Sequence, residues 1–102
     1  MSEQEPMVVM FRRFRDGARE IIAIFPEIPA DTDGLMVTSF MHPGGHGQAS
    51  PDVVYWTVRA KPEEYRSLML ELESEPYNYV LDIRERTPKD AADKRRKAVR
   101  NG

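Results

Sequence analysis

Cysteine is absent from the chain, and histidine occurs only twice. Without cysteine, a disulfide framework and a thiolate metal site are both excluded. No apolar run approaches the roughly 18 residues that a membrane-spanning helix needs. The first six residues carry two glutamates and no basic residue, which is the wrong chemistry for a signal peptide. We therefore expect a soluble, cytoplasmic protein that makes no membrane contact.

Charge is distributed unevenly along the chain, although the net value is only −2. Residues 87–102 contain six basic and two acidic residues, a net +4, which leaves −6 on residues 1–86. A basic tail can bind nucleic acid through phosphate contacts that weaken as salt rises. The candidate nucleic-acid residues are Lys94, Arg95, Arg96, Lys97 and Arg100. A contact between this tail and the acidic body, within or between subunits, is equally permitted.

Two apolar strands are predicted near the N-terminus, over residues 7–14 and 20–25. Asp16-Gly17 between them is typical of a two-residue hairpin turn. Such a turn places Arg13 opposite Glu20 and Phe11 opposite Ile22. Both faces of the resulting hairpin are largely apolar, whereas a sheet covered on one side alternates apolar and polar residues. This pattern predicts either internal cover on both faces or a partner chain, such as a second copy in a homodimer.

The rest of the chain predicts an α+β fold in the order ββββαβ. Further strands are expected over residues 35–41, 53–59 and 77–84, and residues 26–34 are expected to form a loop. A helix is expected over residues 62–74, where apolar residues recur on one face. The expected architecture is an antiparallel sheet of about five strands with one helix packed on one face. Residues 1–86 then form a single domain, and residues 87–102 form a flexible or frayed-helical tail.

The stretch MHPGGHGQAS, residues 41–50, carries both histidines among three glycines. A spacing of four joins two imidazoles to one metal when they lie on a helix, but proline and glycine disfavour a helix here. Zinc also needs three or four protein ligands, which this stretch does not supply. We predict a shaped loop between strands, and no metal or other cofactor. Its candidate binding residues are His42, Gly44, His46 and Gly47.

Several spaced motifs resemble a family of small, uncharacterised proteins encoded by bacteria and phages. They read F-R at residues 11–12, A-x-F-P-x-x-P-A at 23–30, S-F-x-H-x-G-x-H-G at 39–47 and P-E-E-Y-x-x-L-x-x-E-L at 62–72. The resemblance covers most of residues 8–83 and does not extend to the tail. It implies a cytoplasmic accessory protein of phage or mobile-element origin, and it implies no particular activity or cofactor.

The sequence therefore favours a non-enzymatic accessory or protein-interaction protein. One alternative is a nucleic-acid-associated protein that uses the basic tail. A second alternative is a small metal-binding or hydrolytic protein centred on His42 and His46. No Gly-x-Ser-x-Gly nucleophile motif accompanies the histidines, and no third orienting group can be assigned from the sequence.

Overall fold

The computed structural model describes residues 5–15, 20–42 and 45–101. Within these ranges the strands are β1 (Met7–Phe14), β2 (Ile21–Pro29), β3 (Val37–Met41), β4 (Gly45–Ala49), β5 (Thr57–Arg59) and β6 (Leu81–Ile83). The α-helices are α1 (Pro62–Glu73) and α2 (Ala91–Asn101), and a 3-10 helix, Pro51–Tyr55, precedes β5. The predicted α+β class with an antiparallel sheet is confirmed. Neither α-helix is long and apolar enough to cross a membrane.

The strands form one sheet in the order β4-β3-β2-β1. Beyond β1, its two ends have different neighbours: β5 pairs antiparallel with one end and β6 pairs parallel with the other. Several elements differ from the sequence-based expectation. Strand β2 extends to Pro29, into the expected loop 26–34, and β6 covers only Leu81–Ile83 of the expected strand 77–84. Two further regions change type. The region 42–50, expected as a loop, contains strand β4, and the expected strand 53–59 is a 3-10 helix followed by the short β5.

The predicted register of β1 and β2 is wrong by one residue. Arg13 pairs with Ile21, and Phe11 pairs with Ala23. The predicted Asp16-Gly17 turn lies outside the described residues. Because side chains alternate between the two faces of a sheet, a register shift of one residue moves every side chain of one strand to the opposite face relative to its partner strand. Both faces of β2 are apolar, so hydrophobicity alone could not choose between the two registers.

Helix α1 covers one face of the sheet, which we call the first face and which carries Val9, Phe11, Ala23 and Phe25. Leu68 and Leu72 are buried against Val9, Phe11 and other residues of that face. Tyr65, one turn before Leu68 on the helix, stacks on Phe11 with ring centroids 4.3 Å apart. At the start of the helix, Glu64 Oε1 accepts a 2.8 Å hydrogen bond from the Lys61 N–H. The apolar stripe and the proline at the first helical position therefore predict this helix correctly.

The second face carries Met10, Ile22 and Ile24 and is covered by other parts of the chain. The 3-10 helix contributes the buried Val53. The Thr87 hydroxyl lies 3.7 Å from Met10 Sδ, so the C-terminal segment also reaches this face. Both apolar faces are thus covered from within the chain, so neither of them requires a second copy to bury it.

Residues 87–102, expected to form a flexible or frayed tail, include a helix docked on the body. Ala91 and Arg95 of α2 are buried, and Arg95 is only 7% exposed. The Arg95 guanidinium donates hydrogen bonds to Gly34 O at 2.9 Å and to Pro26 O at 2.6 Å. The two carbonyls compensate the burial of a charged group, which explains why a helix with so few apolar residues can dock.

Gly34 provides the turn against which α2 packs. Its φ is +74°, and an added Cβ would lie 3.4 Å from the Arg95 carbonyl oxygen. We expect Gly34→Ala to lower the free energy of unfolding by about 1–2 kcal/mol, because a Cβ is disfavoured in the left-handed region. Urea unfolding measures this difference.

Gly47→Ala is the matched control for the Gly34 substitution. An added Cβ at Gly47 would meet Ser39 Oγ at 3.7 Å, an ordinary contact, and its φ is not in the left-handed region. This control should change the free energy of unfolding by less than about 0.5 kcal/mol. Equal effects at the two glycines would contradict a special backbone requirement at Gly34.

Candidate functional site

The two histidines lie on the same hairpin but contact different elements. His42 follows β3, is 63% exposed at its side chain and places Nδ1 3.2 Å from Glu71 Oε1 of α1. His46 lies on β4, and its Nε2 is 3.0 Å from the Tyr79 hydroxyl. Gly47 lies opposite Ser39 on β3, and Gly44 lies outside the described residues. The structure therefore gives each histidine its own intramolecular partner.

His46 belongs to an aromatic cluster formed with Phe40, Tyr77 and Tyr79. Its ring meets those of Phe40 and Tyr77 edge to face, with centroids 4.9 Å and 5.0 Å apart. Burial, and secondly the neighbouring Tyr77, raise the pKa of the Tyr79 hydroxyl, which therefore stays protonated at neutral pH. Through these contacts β4 packs against the segment that follows α1. The cluster contains a hydrogen-bonded Tyr–His pair, and among the described residues no nucleophile and no third orienting group is in hydrogen-bond contact with it.

No group of three or more histidine, aspartate or glutamate side chains converges on a possible metal position within the described part of the chain. The sequence contains no cysteine that could add a ligand. The binding role predicted for His42, Gly44, His46 and Gly47 stays a prediction. The contacts of the described members stabilise the hairpin.

Most of the basic residues proposed to bind nucleic acid have partners inside the chain. Lys94 Nζ lies 3.1 Å from Glu27 Oε2, Arg96 pairs with Asp93, and Arg95 is buried. Lys97 and Arg100 are exposed. Because Lys94 pairs with Glu27 and Arg95 is buried, the tail presents less positive charge at its surface than its composition suggests. The contact between tail and acidic body that the sequence permitted is present as Lys94–Glu27.

Two large aromatic side chains that are adjacent in the sequence are exposed elsewhere on the molecule. Tyr55 is 75% exposed and Trp56 is 58% exposed, at the junction of the 3-10 helix and β5. Tyr55 lines a shallow depression together with Arg12, Glu85 and Arg86, and Trp56 follows it directly in the sequence. Exposed aromatic residues of this size are uncommon outside binding surfaces, because leaving them in water forfeits their burial energy.

Arg12 holds the chain that carries these aromatic residues. Its guanidinium donates to Val54 O and Thr57 O, both at 2.8 Å, and to Thr57 Oγ1 at 3.1 Å. Thr57 is buried, and its hydroxyl donates to Val53 O at 2.9 Å. Ser50 caps the start of the 3-10 helix by accepting the Asp52 N–H at 3.1 Å. The backbone around Tyr55 and Trp56 is therefore fixed by hydrogen bonds on both sides.

Positive charge is concentrated around the same aromatic residues. Arg59 of β5 lies directly opposite Arg12 of β1 in the antiparallel strand register. Burial first, then the charges of Arg59 and Arg15, lower the pKa of Arg12, although an arginine remains protonated at neutral pH. Glu85 offsets part of this charge through a 3.3 Å ion pair with Arg59. We call this region the basic-aromatic surface and define it by Arg12, Tyr55, Trp56, Arg59 and Arg86.

The sequence predicts a strand over Tyr55 and Trp56, where core packing is expected. The missed signal is Ser50-Pro51-Asp52, a capping serine followed by proline at the first helical position. That signature predicts a helical turn, and a turn changes which side chains face the core. The structural role of Arg12 has no local signal, because its partners lie more than 40 residues away along the chain.

Comparisons of the chain with protein-family models, with curated proteins and with solved structures give no match. The resemblance to small bacterial and phage proteins therefore depends on the spaced motifs alone and stays a prediction. Any functional conclusion has to come from the geometry of the described residues.

Proposed function

We propose that this protein is a non-enzymatic interaction protein that binds an acidic segment of a partner protein at the basic-aromatic surface. The observation that carries the proposal is the exposure of Tyr55 and Trp56 on a backbone fixed by Arg12. Tryptophan, tyrosine and arginine are the residues that most often dominate protein–protein binding energy. A pre-ordered surface also loses little conformational entropy on binding, which favours affinity.

The chemistry of the partner follows from the charges. Arg12, Arg15, Arg59 and Arg86 lie at or beside this surface, and Glu85 is the single acidic residue that shares its depression. Complementary charge accelerates association and orients the partner. The remainder of residues 1–86 is strongly acidic and repels a long polyanion. A short acidic protein segment therefore fits better than an extended nucleic acid strand.

The binding experiment uses a ten-residue synthetic peptide of aspartate and glutamate with one central phenylalanine. We expect this peptide to bind the intact protein in a calorimetric titration. Trp56→Ala should weaken the affinity by at least about 30-fold, the size of a hot-spot effect. Glu85→Gln should strengthen it by about 2–5-fold, because the acidic competitor of the peptide is removed.

Leu35→Ala is the matched control, since Leu35 is an exposed apolar residue in the turn beside Gly34, away from this surface. It should leave the affinity unchanged. If a single-stranded oligonucleotide binds in a Trp56-dependent way and the peptide does not, the proposal is wrong and a nucleic-acid role replaces it.

A homodimer, which the sequence left open as one alternative, enters as a competing outcome, because the acidic body of a second copy could occupy the same surface. Light scattering that shows a dimer, converted to a monomer by Trp56→Ala, would assign the surface to self-association instead. The accessory role and cytoplasmic location expected from the sequence are consistent with an interaction protein and stay predictions.

A further inference from the structure

A groove adjoins the basic-aromatic surface on the side of α1. It encloses about 370 Å³ between the start of α1 and β6. Its apolar lining includes Phe11, Tyr65 and Ile83. Phe11 is buried beneath Tyr65, with the two rings 10° from parallel, so Tyr65 presents the aromatic surface of the groove. Ile83 is 40% exposed, so the groove leaves apolar area in contact with water.

Cationic side chains line the edge of this apolar groove. They are Arg59, Lys61 and Arg84. Arg59 pairs with Glu85, and Arg84 pairs with Asp82 at 2.9 Å. Within the described residues Lys61 makes no ion pair, so the edge retains a positive charge. A ligand that is apolar at its centre and negative at its flanks is complementary to this arrangement.

The groove and the basic-aromatic surface share a boundary. Glu85 lines both the groove and the depression beside Tyr55, and its partner Arg59 belongs to both regions. An extended segment that crosses the Arg59–Glu85 pair therefore contacts the two regions together. The groove volume lies at the lower end of the roughly 300–1,000 Å³ typical of small-ligand pockets, which suits one large side chain.

We infer that the groove binds a large apolar side chain, aromatic or branched aliphatic, of the same acidic partner segment. This inference rests on the proposed function, since it names the motif that the surface recognises. The motif is one large apolar residue flanked by acidic residues. The flanks neutralise the arginines and Lys61, and the apolar residue covers Tyr65 and Ile83.

The test compares three synthetic peptides of equal length on the intact protein by calorimetric titration. The first is acidic with a central phenylalanine, the second is acidic with a central alanine, and the third has glutamine at every acidic position around the phenylalanine. We expect the first peptide to bind about tenfold or more tightly than the second, from burial of the ring. We expect the third to bind at least about tenfold more weakly than the first, because it lacks charge.

Ile83→Gln tests whether the difference in affinity between the phenylalanine and alanine peptides arises in the groove. The substitution leaves the net charge of the protein unchanged. It should reduce the affinity of the phenylalanine peptide by about 5–10-fold and leave the alanine peptide unaffected. Val80→Gln, at an exposed apolar residue outside the groove lining, is the matched control and should alter neither affinity.

The outcomes distinguish a failure of this inference alone from a failure of the proposed function. If both acidic peptides bind equally and depend on Trp56, this inference is wrong while the proposed function stands. If the uncharged phenylalanine peptide binds as tightly as the acidic one, the groove takes an apolar ligand with no acidic partner, which also overturns the inference. If no acidic peptide binds, the proposed function fails and the inference fails with it.

Discussion

Arg95→Met is expected to lower the free energy of unfolding by about 3 kcal/mol, although it replaces a surface-type residue in a basic tail. Arg95 is buried and donates to the carbonyls of Pro26 and Gly34. Its removal leaves both carbonyls without their donor in a site closed to water, at a cost of about 1–3 kcal/mol each. Chemical denaturation followed by circular dichroism measures the difference.

Arg96→Met is the matched control for Arg95. Arg96 is the next residue of α2, is exposed and, among the residues that the structure describes, forms an ion pair with Asp93 alone. An exposed pair of this kind contributes at most about 1 kcal/mol, and commonly less. Equal losses at the two arginines would mean that the docking of α2 does not depend on Arg95, and would contradict the packing described for the C-terminal segment.

Arg12→Met is expected to have a double effect, on stability and on binding. The substitution removes three hydrogen bonds that join β1 to the chain around Tyr55 and Trp56. We expect a loss of about 2–4 kcal/mol in the free energy of unfolding, because hydrogen bonds to a charged group are stronger than neutral ones. Because the aromatic residues are then no longer held in place, binding of the acidic peptide should fall at least as far as in Trp56→Ala.

Two comparisons separate the role of Arg12 from its charge. Arg12→Lys keeps the positive charge but lacks the planar fork that reaches two carbonyls and a hydroxyl, so it should recover less than half of the lost stability. Arg15→Met removes an exposed arginine beside the same surface and should change stability by less than about 0.5 kcal/mol. If Arg12→Lys recovered all of the stability lost in Arg12→Met, Arg12 would act through its positive charge and not through its three hydrogen bonds.

Local patterns predicted the regular elements well. The observed β1 has the predicted bounds, and α1 ends one residue before the predicted end. These segments have a strong apolar periodicity and clear end signals. Both kinds of signal depend on residues that are close together in the sequence. The register of β1 and β2 was wrong because both faces are apolar and the assumed turn length alone decided the pairing.

The remaining differences come from contacts distant in sequence. Strand β4 contains two glycines among its five residues, a composition that favours a loop. It is a strand because it pairs with β3, and this pairing cannot be predicted from its own residues. Helix α2 has almost no apolar stripe, and its docking depends on two carbonyls some 60 residues away from Arg95. Basic residues in a tail look available for phosphate, yet Lys94 and Arg95 are used to attach the helix.

The candidate site shows the same division between local and distant signals. The sequence identified His42 and His46 from their rarity and spacing, whereas the structure gives them separate partners in α1 and in the aromatic cluster. The basic-aromatic surface combines residues from β1, the 3-10 helix, β5 and the segment after β6. No linear motif connects those segments, so only the fold brings them together.

The most direct measurement of the central claim is the fluorescence of Trp56 during titration with the acidic phenylalanine peptide. Trp56 is the single tryptophan of the chain, so its emission reports this surface alone. The proposal predicts a shift of the emission to shorter wavelength as the indole leaves water, with an apparent affinity that weakens as salt increases. Calorimetric binding of the peptide with unchanged Trp56 emission would contradict it and place the partner elsewhere on the molecule.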